Sequence, residues 1–172
     1  IRGKAVSRGY WRSGNSANNR PGNFLEKHDE SALLRTGDLG FYHDGQFYIT
    51  GRIKDLIIIR GKNFFPDDIE STAENSHESL QVHGGAAFSI DNGNEEQLVI
   101  MHEIKRTALK EFNGAEVVDA IRNDIMTEHE LAVHAISLIG PARLPKTTSG
   151  KKQRLKCRKL WLNNELTTLY TW

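Results

Sequence analysis

The sequence predicts an α+β protein: a small domain with a short β-sheet and packed helices, preceded by a mostly β segment. Asp44-Gly45 separates two aromatic-rich runs, which is a strong hairpin signal. Later apolar runs predict strands at 82–90, 97–104 and 133–139. Apolar residues at helical spacing between 117 and 126 predict an amphipathic helix that packs on this sheet.

The elements between the hairpin and the sheet follow from local signals. Residues 53–59 contain the apolar, mostly β-branched run Leu56-Ile57-Ile58-Ile59, which predicts a strand, and Arg60-Gly61-Lys62-Asn63 predicts a turn. Pro66 is followed by two aspartates, so a helix is expected from there to about residue 75. Turn chemistry at 91–94 separates the next two strands.

The two ends of the chain differ in character. Residues 15–23 are rich in Asn, Gly and Pro and predict a loop or disorder, and 140–150 predict another loop. A basic run then opens a last helix that carries Leu155, Leu160 and Leu162; the basic residues are Lys151, Lys152, Arg154, Lys156, Arg158 and Lys159. Residues 151–172 carry a net charge of +5, so the first 150 residues carry −4 of the total of +1.

Composition excludes several classes of protein. The chain has 172 residues, 38% hydrophobic and 26% charged, which suits a soluble domain with a core. The near-balanced charge argues against wholesale binding to nucleic acid or a membrane surface. A single cysteine, no secretory signal and no apolar stretch of about 20 residues indicate a reducing, cytoplasmic location without a transmembrane segment. Because the chain begins with Ile rather than Met, we expect a fragment of something longer.

Two short motifs are candidate binding positions. Asp38 follows Thr36-Gly37, where its carboxylate could accept bonds from two neighbouring sugar hydroxyls; the alternative is a turn aspartate that bonds backbone amides. Arg52 lies in Gly51-Arg52-Ile53-Lys54-Asp55, where its rigid fork could hold hydroxyls or phosphate. The alternative for Arg52 is an exposed connector with a routine salt bridge.

The most informative stretch is 144–154. Its Pro, Thr, Ser and Gly residues form a loop that delivers Lys151 at the mouth of a helix, where an anionic ligand could approach closely. It is not a Walker loop, because Pro145 stands where the first glycine is required. The alternative is a solvated basic face. Aromatic residues are not interleaved with the basic ones, which disfavours nucleic-acid binding.

Metal and thiol chemistry find little support. The seven histidines are scattered without metal-ligand spacing, and one cysteine cannot make a structural zinc site, so no metal held by this chain alone is expected. Cys157 lies in the basic helix, which could lower its pKa, yet a bystander thiol is the favoured interpretation.

The order of the motifs resembles the C-terminal end of the adenylate-forming enzymes, which include acyl-CoA synthetases, nonribosomal adenylation domains, luciferase and fatty acyl-AMP ligases. The matching motifs, in order, are Tyr10-Trp11, Arg35-Thr36-Gly37-Asp38, Gly51-Arg52-Ile53-Lys54-Asp55, Gly61 with Pro66-Asp67-Asp68-Ile69-Glu70, and Pro145-Lys146-Thr147-Thr148-Ser149-Gly150-Lys151. The wording of residues 35–41 and 54–66 looks most like the fatty acyl-AMP ligases.

This resemblance implies four residue roles. Asp38 matches the aspartate that binds the ribose hydroxyls, and Arg52 matches an arginine that also reaches the nucleotide. Lys54 matches the hinge about which the small domain swings. Lys151 matches the lysine that enters the active site for adenylation, where a cation touching both anions stabilises the transition state most. Lys152 could be mistaken for it, but the residue directly after the glycine is the one that matches.

The resemblance also implies a domain organisation. Residues 1–52 correspond to the tail of a large ATP-binding domain and 53–172 to the small mobile C-terminal domain. The phosphate-binding loop, the carboxylate that binds Mg²⁺ and the acyl pocket belong to the absent large domain. The fragment alone is therefore expected to be inactive.

The implied activity is that of a fatty acyl-AMP ligase, which converts a fatty acid and ATP to acyl-adenylate and pyrophosphate. An acyl-carrier protein or polyketide synthase would then accept the acyl group. Two enzymatic alternatives stay open, a long-chain acyl-CoA synthetase and an amino-acid adenylation domain. From another class, a non-catalytic basic binding module would use Lys156, Arg158 and Lys159 to contact phosphate or acidic partners, with salt-sensitive binding to DNA as its sign.

Overall fold

A computed structural model describes residues 36–93 and 95–172. The chain divides into two compact units, Ile1–Lys54 and Asp55–Trp172. The expected loop at 15–23 and the motif residues Tyr10, Trp11 and Arg35 lie outside the described residues. In the described part of the chain, no helix has the length and apolar character that crossing a membrane requires.

The described part of the first unit is an antiparallel hairpin of β1 (Asp38–His43) and β2 (Gln46–Arg52). Asp44 and Gly45 join the strands with φ angles of 47° and 75°. Positive φ at both turn residues matches the right-handed twist of the strands, as in a type I′ turn. The hairpin prediction is confirmed, and the rings of Phe41 and Tyr48 stack across it with centroids 5.3 Å apart. A short 3-10 helix, Ile53–Asp55, follows.

The second unit contains two sheets and three helices. Its elements are β3 (Ile57–Ile59), β4 (Lys62–Phe64), α1 (Pro66–Asn75), β5 (Leu80–Asp91), β6 (Glu96–Ile104), α2 (Gly114–His129), β7 (Val133–Ile139), α3 (Arg154–Leu162) and β8 (Thr168–Thr171). Strands β3 and β4 form a hairpin, and the larger sheet has the order β5-β6-β7-β8. Its strands pair antiparallel except β6 with β7, which run parallel. The predicted α+β class is confirmed.

Strand β6 is buried on both faces, because each face of the sheet has its own apolar core. Leu98 and Ile100 share one core with Ile69 of α1 and Ile121 of α2. The second core lies on the other face and includes Val99, Met101 and Phe88 of the sheet together with Leu144 and Cys157. Period-two alternation along β6 sends its side chains into the two cores in turn. Helices α1 and α2 therefore cover one face of the sheet, and α3 covers the other.

Several predicted boundaries agree closely with the structure. The helix expected at 66–75 and the strand expected at 133–139 have those bounds, while β5 and β6 extend one or two residues beyond 82–90 and 97–104. Three expectations were wrong in detail. The strand expected at 53–59 forms only at Ile57–Ile59, after the 3-10 helix.

The other two corrections, and one strand that was not predicted, concern short elements. Arg60 and Gly61 take positive φ angles of 51° and 74° and form the whole turn, so the chain is already in β4 at Lys62. The last helix begins at Arg154 rather than at the start of the basic run, because residues 146 and 152 pair in an isolated β-bridge. The four-residue strand β8 was not predicted; it gains its hydrogen bonds only by pairing with β7 at the edge of the sheet.

Candidate functional site

Asp38 and Arg52 are partners in the first unit. They lie opposite each other in the β1–β2 register, and Arg52 Nε donates to Asp38 Oδ1 at 3.1 Å. Arg52 Nη2 also donates to the carbonyl oxygen of Thr36 at 3.3 Å, while the Thr36 hydroxyl accepts the backbone N–H of Asp38 at 3.1 Å. Gly37, with φ of 76°, makes the turn that precedes the strand.

The pair is partly exposed. The side chains of Asp38 and Arg52 are 35% and 47% exposed, and Oδ2 of Asp38 has no hydrogen-bond partner within the described ranges. An exposed ion pair of this kind contributes about 0–1 kcal/mol to stability. The salt bridge named as the alternative for Arg52 is therefore present, and nucleotide binding by Asp38 and Arg52 stays a prediction.

Lys54 lies in the 3-10 helix, is exposed, and is the last residue of the first unit. Its neighbour Asp55 opens the second unit.

In the second unit, Lys151 lies on a tight turn closed by its own backbone. Thr147 N–H donates to the carbonyl oxygen of Lys151 at 2.8 Å, and the Thr147 hydroxyl accepts the Lys151 N–H at 3.0 Å. Gly150 adopts φ of 80° and donates its N–H to the Thr147 carbonyl oxygen at 2.9 Å. A positive φ is strained for residues with a Cβ, which explains a glycine just before the lysine. The small hydroxyl residues of the motif thus build the turn itself.

The two adjacent lysines have different surroundings. Lys151 is exposed, and its ammonium has no hydrogen-bond or ion-pair partner in the part of the chain that the structure describes. Lys152 points inward, and its Nζ lies 2.6 Å from Oε2 of Glu70, whose side chain is only 2% exposed. The charge of Lys152 is therefore balanced by the Glu70 carboxylate within the fold, while the charge of Lys151 is available to a ligand.

Glu70 joins a buried ionic cluster that sequence reasoning missed. Besides Lys152, it accepts hydrogen bonds from Arg154 Nε at 2.6 Å and Arg154 Nη2 at 2.8 Å, and from the backbone N–H of Ala87 at 2.9 Å. Arg154 also bonds Asp67 and lies 3.9 Å from Asp55. In the sequence, Glu70 stands out only as the last residue of the motif Pro66-Asp67-Asp68-Ile69-Glu70. The available signal was its helical spacing beside Ile69 and Ala73, which places a carboxylate on the buried side of α1.

The cluster fixes the charge of Arg154. Burial by itself would lower the pKa of Arg154, but its hydrogen bonds and attraction to Glu70, helped by Asp67, outweigh burial and raise that pKa above its ordinary value. The guanidinium is therefore a permanent cation that holds three carboxylates near the start of α3. This is a structural use of a residue from the basic run.

The remaining basic residues bear on the binding-module alternative. Arg158 is part-buried and its Nε donates to the carbonyl oxygen of Ser89 at 2.9 Å, so it belongs to the packing of α3 on β5. Lys156 and Lys159 stay exposed. Of the six basic residues, Lys152, Arg154 and Arg158 are thus engaged within the fold, so only part of the basic run is available to a partner.

Cys157 is a buried thiol with no exposed surface. Burial raises its pKa to about 11, an effect reinforced by Glu70 and only partly offset by the neighbouring cations. The expectation that the basic helix could lower this pKa was wrong, because desolvation of the thiolate outweighs the nearby positive charge. The bystander interpretation fits this environment. No group of three or more metal-ligating side chains occurs within the described ranges.

Comparisons with known proteins agree with this arrangement of motifs. The family model described as the Disco-interacting protein 2-like AMP domain matches residues 54–171. The chain is 46% identical over 142 residues to the medium-chain-fatty-acid–[acyl-carrier-protein] ligase JamA of Moorena producens, covering 83% of this chain and 24% of that protein. It is 35% identical over 176 residues to the long-chain-fatty-acid–AMP ligase FadD23 of Mycobacterium tuberculosis, covering 98% of this chain and 29% of that protein.

A solved structure extends the likeness to three dimensions. The chain matches the fatty acyl-adenylate ligase from L. pneumophila, in complex with acyl adenylate and pyrophosphate, with a TM-score of 0.53 and 38% identity over 98% of this chain and 29% of that one. The chain spans between a fifth and a third of the length of the curated relatives it matches. It belongs to the Disco-interacting protein 2-like AMP-domain family, within the adenylate-forming superfamily and near the fatty acyl-AMP ligases.

Proposed function

We propose that this chain is the C-terminal part of a fatty acyl-AMP ligase. In the proposed reaction a carboxylate oxygen of the fatty acid attacks the α-phosphorus of ATP, and the bond from that phosphorus to the bridging oxygen breaks. Acyl-adenylate forms, and pyrophosphate leaves with the bonding electrons. The observation that carries the proposal is the difference between two adjacent cations: on its closed turn, Lys151 has no partner among the described residues, while Lys152 is paired with Glu70.

Lys151 is the proposed catalytic residue. Attack on the α-phosphate brings two anions together, and negative charge then develops on the phosphoryl oxygens. An ammonium group that touches both lowers this repulsion most in the transition state. A lysine already paired in the ground state would have to give up its partner first, so the free neighbour suits this role better.

Asp38 and Arg52 are the proposed nucleotide-binding residues. Oδ2 of Asp38, which has no partner among the described residues, can accept a ribose hydroxyl, while Arg52 orients the carboxylate through Oδ1. A guanidinium that also bonds the Thr36 carbonyl oxygen is fixed at the base of the hairpin. Ligand binding and the salt bridge are then two uses of one pair.

The proposed domain boundary lies at 52/53, with Lys54 as the hinge. Residues 1–52 would complete a large ATP-binding domain, and 53–172 would form the small mobile domain. Two observations support this: the compact units separate after Lys54, and the family model begins at that same residue. A hinge requires only a few torsions at an element end, which a single-turn 3-10 helix can supply.

Cofactors and partners follow from the reaction. Adenylate-forming ligases use ATP, generally with Mg²⁺, whose ligands we place in the large domain rather than in this chain. JamA is named as a ligase to an acyl-carrier protein, and we propose a carrier protein or polyketide synthase as the acceptor here, in the cytoplasm. Nucleic acid is not a proposed partner, because two of the four α3 cations, Arg154 and Arg158, bond groups within the fold.

The experiment that tests this function uses the full-length protein that carries these residues, with ATP, Mg²⁺ and medium- or long-chain fatty acids, with and without CoA. Mass spectrometry identifies the products. Acyl-adenylate that persists when CoA is present is the expected result. Conversion to acyl-CoA would support the alternative of an acyl-CoA synthetase. If no carboxylic acid gives an acyl-adenylate, the proposal that the protein is an adenylate-forming enzyme is refuted.

A further inference from the structure

The carboxylate of Glu70 joins three separate segments of the second unit. It belongs to α1, it accepts the backbone N–H of Ala87 in the middle of β5, and it receives Lys152 and Arg154 from the segment that opens α3. Four donors converge on two oxygens, at 2.6 to 2.9 Å. With its side chain 2% exposed, Glu70 has no need of solvent to satisfy its charge.

A buried ionic cluster of this kind contributes little net free energy to folding. Taking a carboxylate and two cations out of water costs much of what their attraction returns, and apolar side chains of similar size often stabilise a core as well. What charged hydrogen bonds add is direction, since each short contact fixes the position of its donor. Three of the four donors belong to the side chains of Lys152 and Arg154, one and three residues after Lys151.

A few backbone hydrogen bonds connect the residues held by Glu70 to the turn that carries Lys151. Residues 146 and 152 pair as a β-bridge, and the Gln153 N–H donates to the Pro145 carbonyl oxygen at 2.9 Å. These contacts close the base of the turn that contains Lys151. Lys152 is held inward against Glu70 and the adjacent Lys151 is exposed, so the residue that presents the ammonium is joined directly to the anchored one.

We propose that Glu70 is a positioning residue for Lys151: by holding Lys152 and Arg154 it fixes the base of the 147–151 turn and the direction in which the catalytic ammonium is presented. This inference rests on the proposed function of Lys151. Glu70 does not touch substrate; it acts through its two cationic partners. Nothing in this role requires the relation between the two units of the chain.

The effect of losing Glu70 follows from the demands of the chemistry. Misplacement of a reacting group by about 1 Å can lower a rate by about 100-fold. We therefore expect Glu70→Gln in the full-length enzyme to lower the kcat of acyl-adenylate formation by about 10- to 100-fold, with the KM values for ATP and fatty acid changed by less than about twofold. Transfer of the acyl group from ready-made acyl-adenylate to the acceptor thiol should be unchanged, because Lys151 serves adenylation.

The matched control is a substitution that loosens the same domain elsewhere. Ile125 of α2 is fully buried in the apolar core and is not one of the groups that bond Glu70. Ile125→Ala should lower the unfolding midpoint at least as much as Glu70→Gln while keeping the adenylation kcat within about twofold of the parent. Hydrogen exchange gives a direct readout: the N–H groups of Lys151 and Gly150 should lose protection in Glu70→Gln and keep it in Ile125→Ala.

A second variant keeps the test sharp if Glu70→Gln does not fold. Lys152→Met retains the Glu70–Arg154 bonds and the apolar stem but removes the contact nearest the turn. It should lower the adenylation kcat in the same direction, by about three- to tenfold, with acyl transfer unchanged.

Three results would overturn the inference: adenylation as fast in Glu70→Gln as in Ile125→Ala, equal losses in adenylation and acyl transfer, or an unchanged rate in Lys152→Met. The proposed function fails separately. If Lys151→Ala leaves adenylation intact, the catalytic assignment of Lys151 is wrong, whatever the Glu70 variant shows. If Lys151→Ala abolishes adenylation but Glu70→Gln and Lys152→Met do not lower its rate, only the positioning role of Glu70 is wrong.

Discussion

The buried ring of His102 makes the stability of this chain depend on pH in a way that can be measured. His102 lies in β6 with no exposed surface, and its ring packs so closely on Gly85 that a Cβ there would stand 2.7 Å from Cδ2. Nδ1 lies 3.1 Å from the carbonyl oxygen of Glu103, which can only accept, so Nδ1 carries the proton. Nε2 has no partner among the described residues. Burial lowers the pKa of His102 to about 4 from 6.5, against weaker opposing effects from Glu103, Glu74 and Glu70.

The magnitude follows from the difference between the two states. The unfolded histidine takes up a proton as the pH falls through 6.5, while the folded one stays neutral until about pH 4. The folded state is therefore fully favoured above pH 6.5 and loses stability as the pH falls between these values. At about 1.4 kcal/mol for each pKa unit, the loss is about 3 kcal/mol. Protonation of carboxylates adds to the slope near pH 4, so a variant has to separate the two effects.

The assay is urea unfolding of the 172-residue chain at several pH values between 7 and 4, for the parent and for His102→Leu. The difference in unfolding free energy between the parent and His102→Leu should change by about 3 kcal/mol across this pH range, since only the parent has a histidine at position 102. The exposed His134 supplies the control, because His134→Gln should retain the slope of the parent. Parallel curves for the parent and His102→Leu would refute the reasoning.

Two further predictions concern packing. Cys157 is buried and its pKa is raised to about 11, so about one thiol in 1,000 is ionised at pH 8. Labelling by a thiol reagent should therefore be more than about 100-fold slower in the native chain than in the chain unfolded in urea. Comparable labelling rates would contradict the burial of Cys157. Gly114→Ala would place a Cβ 2.4 Å from the ring of Tyr170 in β8, so it should destabilise the chain by about 1–3 kcal/mol even though alanine favours helices. Gly140→Ala, whose nearest contact is the Arg143 side chain at 3.8 Å, should change stability by less than about 0.5 kcal/mol in the same thermal unfolding assay; equal effects at the two sites would contradict the contact.

The elements that the sequence predicts well are those with a strong local cause. Pro66 with its two aspartates starts α1 where expected, and Asp44-Gly45 takes the two positive φ angles that its composition favours. Strand β8 has no such cause, since four residues gain their pairing only from β7. The late start of α3 has a tertiary cause as well, because Lys152 is held by Glu70 before the helix begins.

The same distinction applies to the candidate site. Motif order is enough to single out Asp38, Arg52 and Lys151, and the hairpin register brings the first two together. Glu70 lies 82 residues from Lys152 and 84 from Arg154 along the chain, so no local pattern reveals that a buried carboxylate holds these two cations. The difference between Lys151 and Lys152 is likewise a tertiary property: two identical neighbours differ because only one of them faces Glu70.

That difference is the central claim, and one measurement tests it most directly. Single-turnover acyl-adenylate formation would be followed in the full-length enzyme for Lys151→Ala and for Lys152→Met. We predict a loss of about 100-fold or more for Lys151→Ala, typical of removing a group that stabilises developing charge, and a loss no greater than about tenfold for Lys152→Met. A larger loss for Lys152→Met than for Lys151→Ala, or full activity in Lys151→Ala, would contradict the account.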